Sequence, residues 1–568
     1  MLHIEIQEPL RSVLPELSRR FRSEGWWGDD TFGSRARRWA QEDADKPILR
    51  DDTRTLTRSS LVDAAERFGS ALRRRGIGRG SIVGLQLPNC ADYAIANIAC
   101  EYVGAIWVNL SPSYRRHEML EILGHLRADA LVVAATDKGF DMRPLVADVR
   151  TQVSSLQTIV GYCDDPESLP DGWLRMSEML DEPIDERLCE GSLQGDDIYS
   201  IMLSSGTTSA RPKEALRSVN SMLCALRIMN ETFAVGPEDR LLCLAPQTGG
   251  TGYSYSVAFP LITGAEVDVT EHGIGSALVE RIQSCRPTVL VAVPTQMARL
   301  LDAAGGDHSM WSDLRLIINS GAPLLGDVAA RAEEECGCPI LSVYGATDGM
   351  VPVMTATEAP AQIRHSRVGR VMAGHQLRIV DEAGDEVPTG SIGEICGFGP
   401  GMAFGYVDNA SEMARTWDAE GWWHSGDLGV LDGDGYLRIV GRKKEMILRG
   451  GVNISPLEIE ELLNEHPDIH EAVVVAMPHD DLLEQVCAFV VSRDNRPMTL
   501  REVNDFLVDK GVAKYKLPER LEQRTEIPRT NVQKIDKLAL GREIAAIVDA
   551  DRARTKRRED RDGSSGDR

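Results

Sequence analysis

The stretch from Leu203 to Ala215 reads Leu-Ser-Ser-Gly-Thr-Thr-Ser-Ala-Arg-Pro-Lys-Glu-Ala. It follows an apolar run, Ile198 to Leu203, that has the character of a buried strand. Ser204, Ser205, Gly206, Thr207, Thr208 and Ser209 supply hydroxyls and an unencumbered main chain, and Lys213 supplies a point charge. That is the composition of a loop that wraps a polyphosphate, with backbone N–H groups and hydroxyls converging on the oxygens. It is not a Walker A loop, because the Gly-x-x-x-x-Gly-Lys-Ser/Thr spacing is absent. Standing alone, it would read as an ordinary polar surface loop.

Further stretches suit the same chemistry. Asn319-Ser-Gly321-Ala322-Pro323 lies at the C-terminal end of an expected strand, where open α/β sheets bind ligands. Tyr344-Gly345-Ala-Thr347-Asp348 follows the next strand and offers an aromatic face for a base, a hydroxyl for a phosphate and a carboxylate for Mg²⁺. Gly421-Trp-Trp-His-Ser-Gly-Asp427-Leu-Gly429 places an aspartate in a glycine-flanked turn, suited to gripping two ribose hydroxyls. Arg442 opens a charged run, and Lys534 stands at the start of the last helix. Taken singly, most of these have a plain alternative: a turn, a cap, a solvated charge. Their joint order makes that alternative improbable.

The elements that must position these residues alternate. Leu61–Arg74 has helical spacing, Ile82–Leu87 reads as a strand, Ala91–Val103 as a helix, and Ala105–Leu110 and Ala130–Ala134 as strands. This βαβ rhythm resumes after the Ser/Thr loop and predicts an α/β protein of mainly parallel sheets covered by helices. Near Leu377–Val380 and Gly393–Gly397 short strands suggest a small antiparallel or barrel-like section. Past Arg442 the pattern becomes that of a small α+β domain. The expected division is a large domain over 1–442, a small one over 443–550 and a disordered tail over 551–568.

At 568 residues the chain exceeds a single core. Lys+Arg 63 against Asp+Glu 87 leaves a formal net charge of −24, which argues against a nucleic-acid or anionic-membrane partner. The eleven cysteines are scattered without zinc-like spacing, and no stretch is apolar enough to span a membrane. A cytoplasmic protein with reduced thiols is the simplest expectation.

Together the motifs resemble the adenylate-forming (AMP-binding) superfamily of acyl-CoA synthetases, aryl-acid ligases and luciferases, over essentially residues 30–545. The resemblance implies that Ser205–Lys213 holds the ATP phosphates, with Ser204 at its entry and Gly321, Ala322, Pro323 and Gly345 lining the nucleotide site. It implies that Tyr344 stacks on adenine, Thr347 contacts the α-phosphate, Asp348 holds Mg²⁺, Asp427 and Arg442 grip the ribose, and Lys534 bridges the carboxylate and α-phosphate. Gly249, Gly250 and Tyr253 correspond to the acid pocket. The same resemblance implies a mobile small domain turning on a hinge at Lys444, which exchanges Lys534 for a loop whose Gly450 and Gly451 leave room for a pantetheine arm.

The Gln247–Tyr253 stretch and Gly511–Arg520 look most like medium-chain or cyclohexanecarboxylate-type CoA ligases. The expected cofactors are therefore ATP, Mg²⁺ and CoA, and the expected partner a small organic acid, with a homodimer left open. The leading expectation is an acid–thiol ligase. Two alternatives stand beside it: adenylation with a carrier-protein phosphopantetheine, an amine or an unusual oxyacid, and a degenerate nucleotide binder. Departures from the family pattern motivate them. The phosphate loop carries one residue more than the family pattern, with Ser209, Ala210 and Arg211 between Thr208 and Pro212; Glu214 replaces a glycine, Asp348 replaces a glutamate, Gln533 replaces a glycine, and Gly249 replaces an aromatic or histidine.

Overall fold

The computed structural model describes residues 6–163, 168–204, 212–271, 273–349, 352–449, 452–479, 481–530 and 534–563. Contacts divide the chain into two units. The first comprises Met1–Arg378, Cys396–Ser425 and Gly435–Leu437, the second Ile379–Ile395, Gly426–Asp434 and Arg438–Arg568. The division thus threads through the strands that precede Arg442 instead of falling at one point.

The first unit is built on two large sheets. One has seven strands in the spatial order Lys213–Ser218, Ile198–Ser204, Ile106–Asn109, Ile82–Gln86, Ala130–Ala134, Thr158–Tyr162 and Leu174–Arg175. Its pairs are parallel except the first, where Ile198–Ser204 and Lys213–Ser218 run antiparallel and Ser204 faces Lys213. The other has nine strands, with the parallel set Glu266–Val269, Arg240–Cys243, Val289–Ala292, Leu316–Ser320 and Ile340–Tyr344 at its centre. Strands buried on both faces need unbroken apolar runs, and Ala-Leu-Val-Val-Ala at 130–134 is buried at every position.

The helix Ala91–Val103 is buried at all of its residues and ends on Gly104, whose φ of 81° closes the last turn. It shares one core with side chains from both sheets, among them Val83, Trp107, Leu241 and Val267. A helix buried on every side belongs in such a place, and its buried Glu101 is satisfied by the Phe32 and Gly33 N–H groups. Near the N-terminus the helix Leu10–Ser23 leads to Trp27, which is buried and donates its indole N–H to the Pro400 carbonyl.

Strands Gln376–Val380, Gly393–Phe398, Trp423–Leu431 and Leu437–Arg442 form a four-stranded sheet in the section expected to be barrel-like. Asp427 lies inside the third of these strands and not in a turn. Gly426 takes a φ of +71° within the strand, and its N–H is received by Glu394, so the glycine bends the chain without ending it.

In the second unit, Ile469–His479 and Leu483–Ser492 pair over their full length. Alternate residues face opposite cores. Val474, Val486, Ala488 and Val490 meet the helices Pro456–Asn464 and Leu500–Asp509, while Val473, Val475, Cys487 and Phe489 meet Leu540 and Ile544 of the last helix. That helix runs Lys537–Gly563, into the stretch expected to be disordered. Five of the thirteen residues at 551–563 are Arg, a good helix former.

Candidate active site

Parallel strands Leu316–Ser320 and Ile340–Tyr344 are neighbours, with Ser320 opposite Val343, so the two segments after them emerge side by side. Gly321 turns at once with φ +91°, which frees the chain from the sheet, and Ala322 and Pro323 follow it. Tyr344 closes its strand and is largely buried; Gly345, Thr347 and Asp348 follow in the turn. Gly349 is dictated by packing: a Cβ there would stand 1.9 Å from the buried Trp423 ring. That close approach presses the Asp348 segment against the body of the unit, and the Asp348 carbonyl accepts from the Ala403 N–H.

The acid-pocket residues arrive from a third direction. Gly249 precedes a short helix, Gly250–Tyr253, which continues through a π-helical segment, Ser254–Ala258. A Cβ at Gly252 would meet the Pro246 carbonyl oxygen at 1.8 Å, so this helix sits directly on backbone. A Cβ at Gly250 would have the Thr347 hydroxyl 3.6 Å away, which brings the expected acid pocket and the expected α-phosphate contact together. Thr251 donates its hydroxyl to Ser320 at 3.4 Å. Tyr253 is buried, its ring 4.7 Å from that of Trp107.

Asn109 ties this loop to the strand that precedes the phosphate loop. Its amide N–H donates to the Thr248 carbonyl, and its side-chain oxygen accepts from the Leu203 N–H. No sequence motif marks Asn109. It is the last residue of the fully buried strand Ile106–Asn109, where a polar residue needs a reason.

Lys213 lies at the far end of the phosphate loop, on the first residue of its strand. Its ammonium meets the Glu412 carboxylate at 2.8 Å, donates to the Tyr406 hydroxyl at 3.3 Å and stands 5.0 Å over the Tyr406 ring. The Tyr406 hydroxyl in turn donates to Asp348 Oδ2. One buried phenol therefore links the phosphate-loop lysine to the expected metal carboxylate. Burial first, and then the neighbouring Asp348 charge, push the Tyr406 pKa well above the usual phenol value, so it stays a donor at any working pH. Tyr406 is held by the Trp417 ring 5.0 Å away and by backbone bonds that sew residues 404–407 to the strand Lys213–Ser218.

Glu214, where the family pattern has glycine, points away from this cluster. It is buried and meets His125 Nδ1 at 2.8 Å. Neither Tyr406, Glu412 nor His125 was picked out by the sequence pattern; each lies far along the chain from the residue it serves.

In the second unit, Asp427 and Arg442 pair at 3.1 Å. Lys534 is not on the last helix but three residues before its start, where its N–H donates to the Thr530 hydroxyl and its carbonyl accepts from the Thr530 N–H. The Lys534 ammonium is held below the ordinary lysine range, first by partial loss of hydration, then by the Arg442 charge, with Asp427 pulling the other way. Its side chain is nonetheless solvent-exposed, so the hydration loss is incomplete and the Arg442 field carries real weight. Lys444 is exposed within a single 3₁₀ turn, Lys443–Glu445. Ser205, Gly206, Thr207, Thr208, Ser209, Gly450, Gly451 and Gln533 lie outside the described residues, and of Ser204 only the backbone is described.

Among the described residues no group of three or more His, Cys, Asp or Glu side chains could hold a metal by itself, and no helix is long and apolar enough to cross a membrane. The donor set at Asp348 fits a metal of another kind. A single carboxylate, fixed through one oxygen by Tyr406, suits an Mg²⁺ whose other ligands are phosphate oxygens and water.

Known proteins resemble this chain over most of its length. Residues 36–407 match the model of the AMP-binding enzyme family, and residues 458–534 match that of the AMP-binding enzyme C-terminal domain. The chain is similar to the medium-chain fatty-acid–CoA ligase of Escherichia coli K12, 30% identical over 92% of each chain. It is equally similar to a Streptomyces salicylyl-CoA synthase/salicylate adenylyltransferase, 30% identical over 92% of this chain and 96% of the relative. Among solved structures, an anthranilate CoA ligase in complex with anthranoyl-AMP superposes with a TM-score of 0.83, at 25% identity over 92% of this chain and 98% of that one. The chain belongs to the AMP-binding enzyme family, and its activity is that of an AMP-forming acid ligase.

Proposed function

We propose that this chain condenses a small or medium organic acid with ATP to an acyl-AMP, releases pyrophosphate, and passes the acyl group to the thiol of CoA. The observation that carries the proposal is the cluster in the first unit, where Lys213, Tyr406 and Asp348 form one chain of contacts and Thr347 stands against the acid-pocket helix. A carboxylate is a poor electrophile, and a mixed anhydride with AMP gives it a good leaving group. Bringing one anion to another makes positioned cations and donors the main catalytic need.

In this reading Lys213 meets the outer phosphates and the Thr347 hydroxyl donates to the α-phosphate. Tyr344 offers its ring to adenine, beside Gly321, Ala322, Pro323 and Gly345. Asp427, oriented by Arg442, accepts from the ribose hydroxyls. Asp348 would hold Mg²⁺, which when bound neutralises phosphate charge. Lys534 steadies the carboxylate against the α-phosphate during adenylation, and Lys444 is the point about which the small domain turns before thiol transfer. Gly249 and Gly250 put no side chain into the space that the acid enters. The medium-chain fatty-acid and salicylate relatives bracket the acid class, an alkyl chain or a single ring.

Pyrophosphate release over a panel of alkanoic and aryl acids, with and without CoA, tests the proposal. Turnover that stalls at acyl-AMP without CoA and completes with it is the expected result. Release that ignores CoA but completes with a carrier-protein thiol or an amine would reassign the acceptor.

A further inference from the structure

Glu412 occupies the ammonium that the ATP phosphates need. Its Oε2 lies 2.8 Å from Lys213 Nζ, both side chains being mostly buried, at 16% and 22% exposure. Its Oε1 lies 2.9 Å from Arg415, a side chain that is 73% exposed. The two cations hold the Glu412 pKa below the usual carboxylate range, the Lys213 hydrogen bond being the larger cause. Its backbone is fixed by Asn409, whose side chain caps the helix Ala410–Thr416 and accepts from the Glu412 N–H. Glu412 is therefore a built carboxylate with one partner it shares and one it keeps.

We propose that Glu412 is an internal competitor for Lys213 that sets the affinity for ATP. When Lys213 turns to a phosphate oxygen, Glu412 retains Arg415, so no buried charge is orphaned and the exchange costs little. Tyr406 stays beneath the ammonium throughout, and its ring and hydroxyl provide a pivot between the two anions. The competition acts on whatever carries the outer phosphates: ATP and pyrophosphate feel it, and AMP does not. In effect Glu412 subtracts affinity from the substrate and the leaving pyrophosphate alike, which favours release after adenylation.

The inference rests on the proposed meeting of Lys213 with the outer phosphates, and the test separates the two. Titration calorimetry of the full chain with ATP–Mg²⁺ and with AMP reads both. Glu412→Gln tightens ATP about three- to fivefold, the upper end of what a solvent-screened ion pair contributes, and leaves AMP unchanged. Glu412→Asp, which keeps the charge but draws it back from Lys213, shows a smaller tightening and guards against a folding defect. In a Lys213→Ala background, Glu412→Gln has no effect on ATP. ATP affinity that is unchanged or weaker in both Glu412 variants overturns the competitor role. ATP affinity untouched by Lys213→Ala would instead remove the phosphate contact itself.

Discussion

Two lysines divide the expected catalytic charge, and the structure treats them in opposite ways. Lys213 is tied on three sides, by a carboxylate, a hydroxyl and a ring, at the edge of a rigid sheet. Lys534 has no ion-pair partner among the described residues, bonds through its backbone to Thr530, and has its proton loosened first by loss of hydration and then by the Arg442 charge. A side chain that serves one state can be tied permanently. One that must enter and leave with a moving domain cannot, because every contact it made in place would have to be broken on each turnover. Under the proposed function, the first unit would fix the phosphates and the second would bring the ammonium that adenylation needs.

Breaking the untied side should have the largest effect. Lys534→Ala lowers acyl-AMP formation by about a hundredfold or more, as for loss of a charge-stabilising donor. Conversion of synthetic acyl-AMP to thioester survives, because that step does not need this ammonium. The lowered pKa has a definite sign: as pH rises, the ammonium loses its proton earlier than an ordinary lysine, so the alkaline limb of adenylation lies below 10.5. Arg442→Gln removes the like charge and moves that limb upward, read in the pH profile of adenylate formation at saturating ATP. Equal failure of Lys534→Ala in both half-reactions would end the division of labour drawn here.

Asp348 sharpens the tied side. Asp348→Asn keeps the shape and the Tyr406 contact while removing the charge, and should cut pyrophosphate release about ten- to a hundredfold without unfolding the protein. Gly349→Ala is a steric counterpart. Its methyl would enter the Trp423 ring, so the Asp348 segment must shift, at about 1–3 kcal/mol of strain. Both variants should raise the Mg²⁺ needed for half-maximal rate. A normal Mg²⁺ requirement in Asp348→Asn would take the metal role away from this residue.

Much of this was legible in the sequence for physical reasons. The helix Ala91–Val103 and the strand Ala130–Ala134 have the bounds their hydrophobic pattern predicts, because burial on every side leaves no choice of residue. Tyr344 ends, and Thr347 and Asp348 follow, a strand at the C-terminal edge of a parallel sheet, a position the apolar run before them makes legible. What could not be read was partnership across long stretches of chain. Lys213 and Glu412, Asp348 and Tyr406, Glu214 and His125 meet only because separate elements converge, and nothing local in the sequence announces it. Asp427 was misplaced for a different reason: glycines on either side suggested a turn, yet a strand absorbs one left-handed glycine when its neighbour strand supplies an acceptor. Lys534 was put on a helix that begins three residues later.

The smallest expected effect separates neighbours. Lys213 and Glu214 are consecutive on one strand, so they point to opposite faces. On one face Lys213 meets Glu412 and Tyr406; on the other Glu214, only 1% exposed at its side chain, meets His125. If the family's glycine was replaced here for packing, the Glu214–His125 contact belongs to stability and not to nucleotide binding. His125→Ala withdraws the imidazole from a buried carboxylate and should cost about 1–3 kcal/mol of stability, read from the denaturant midpoint. The KM for ATP should remain unchanged, because Lys213 keeps Glu412 and Tyr406 on its own face. A raised KM for ATP at unchanged stability would reverse the assignment. It would show that the buried pair sets the angle at which the strand presents Lys213, and the tied side of the comparison would then reach across both faces of the sheet.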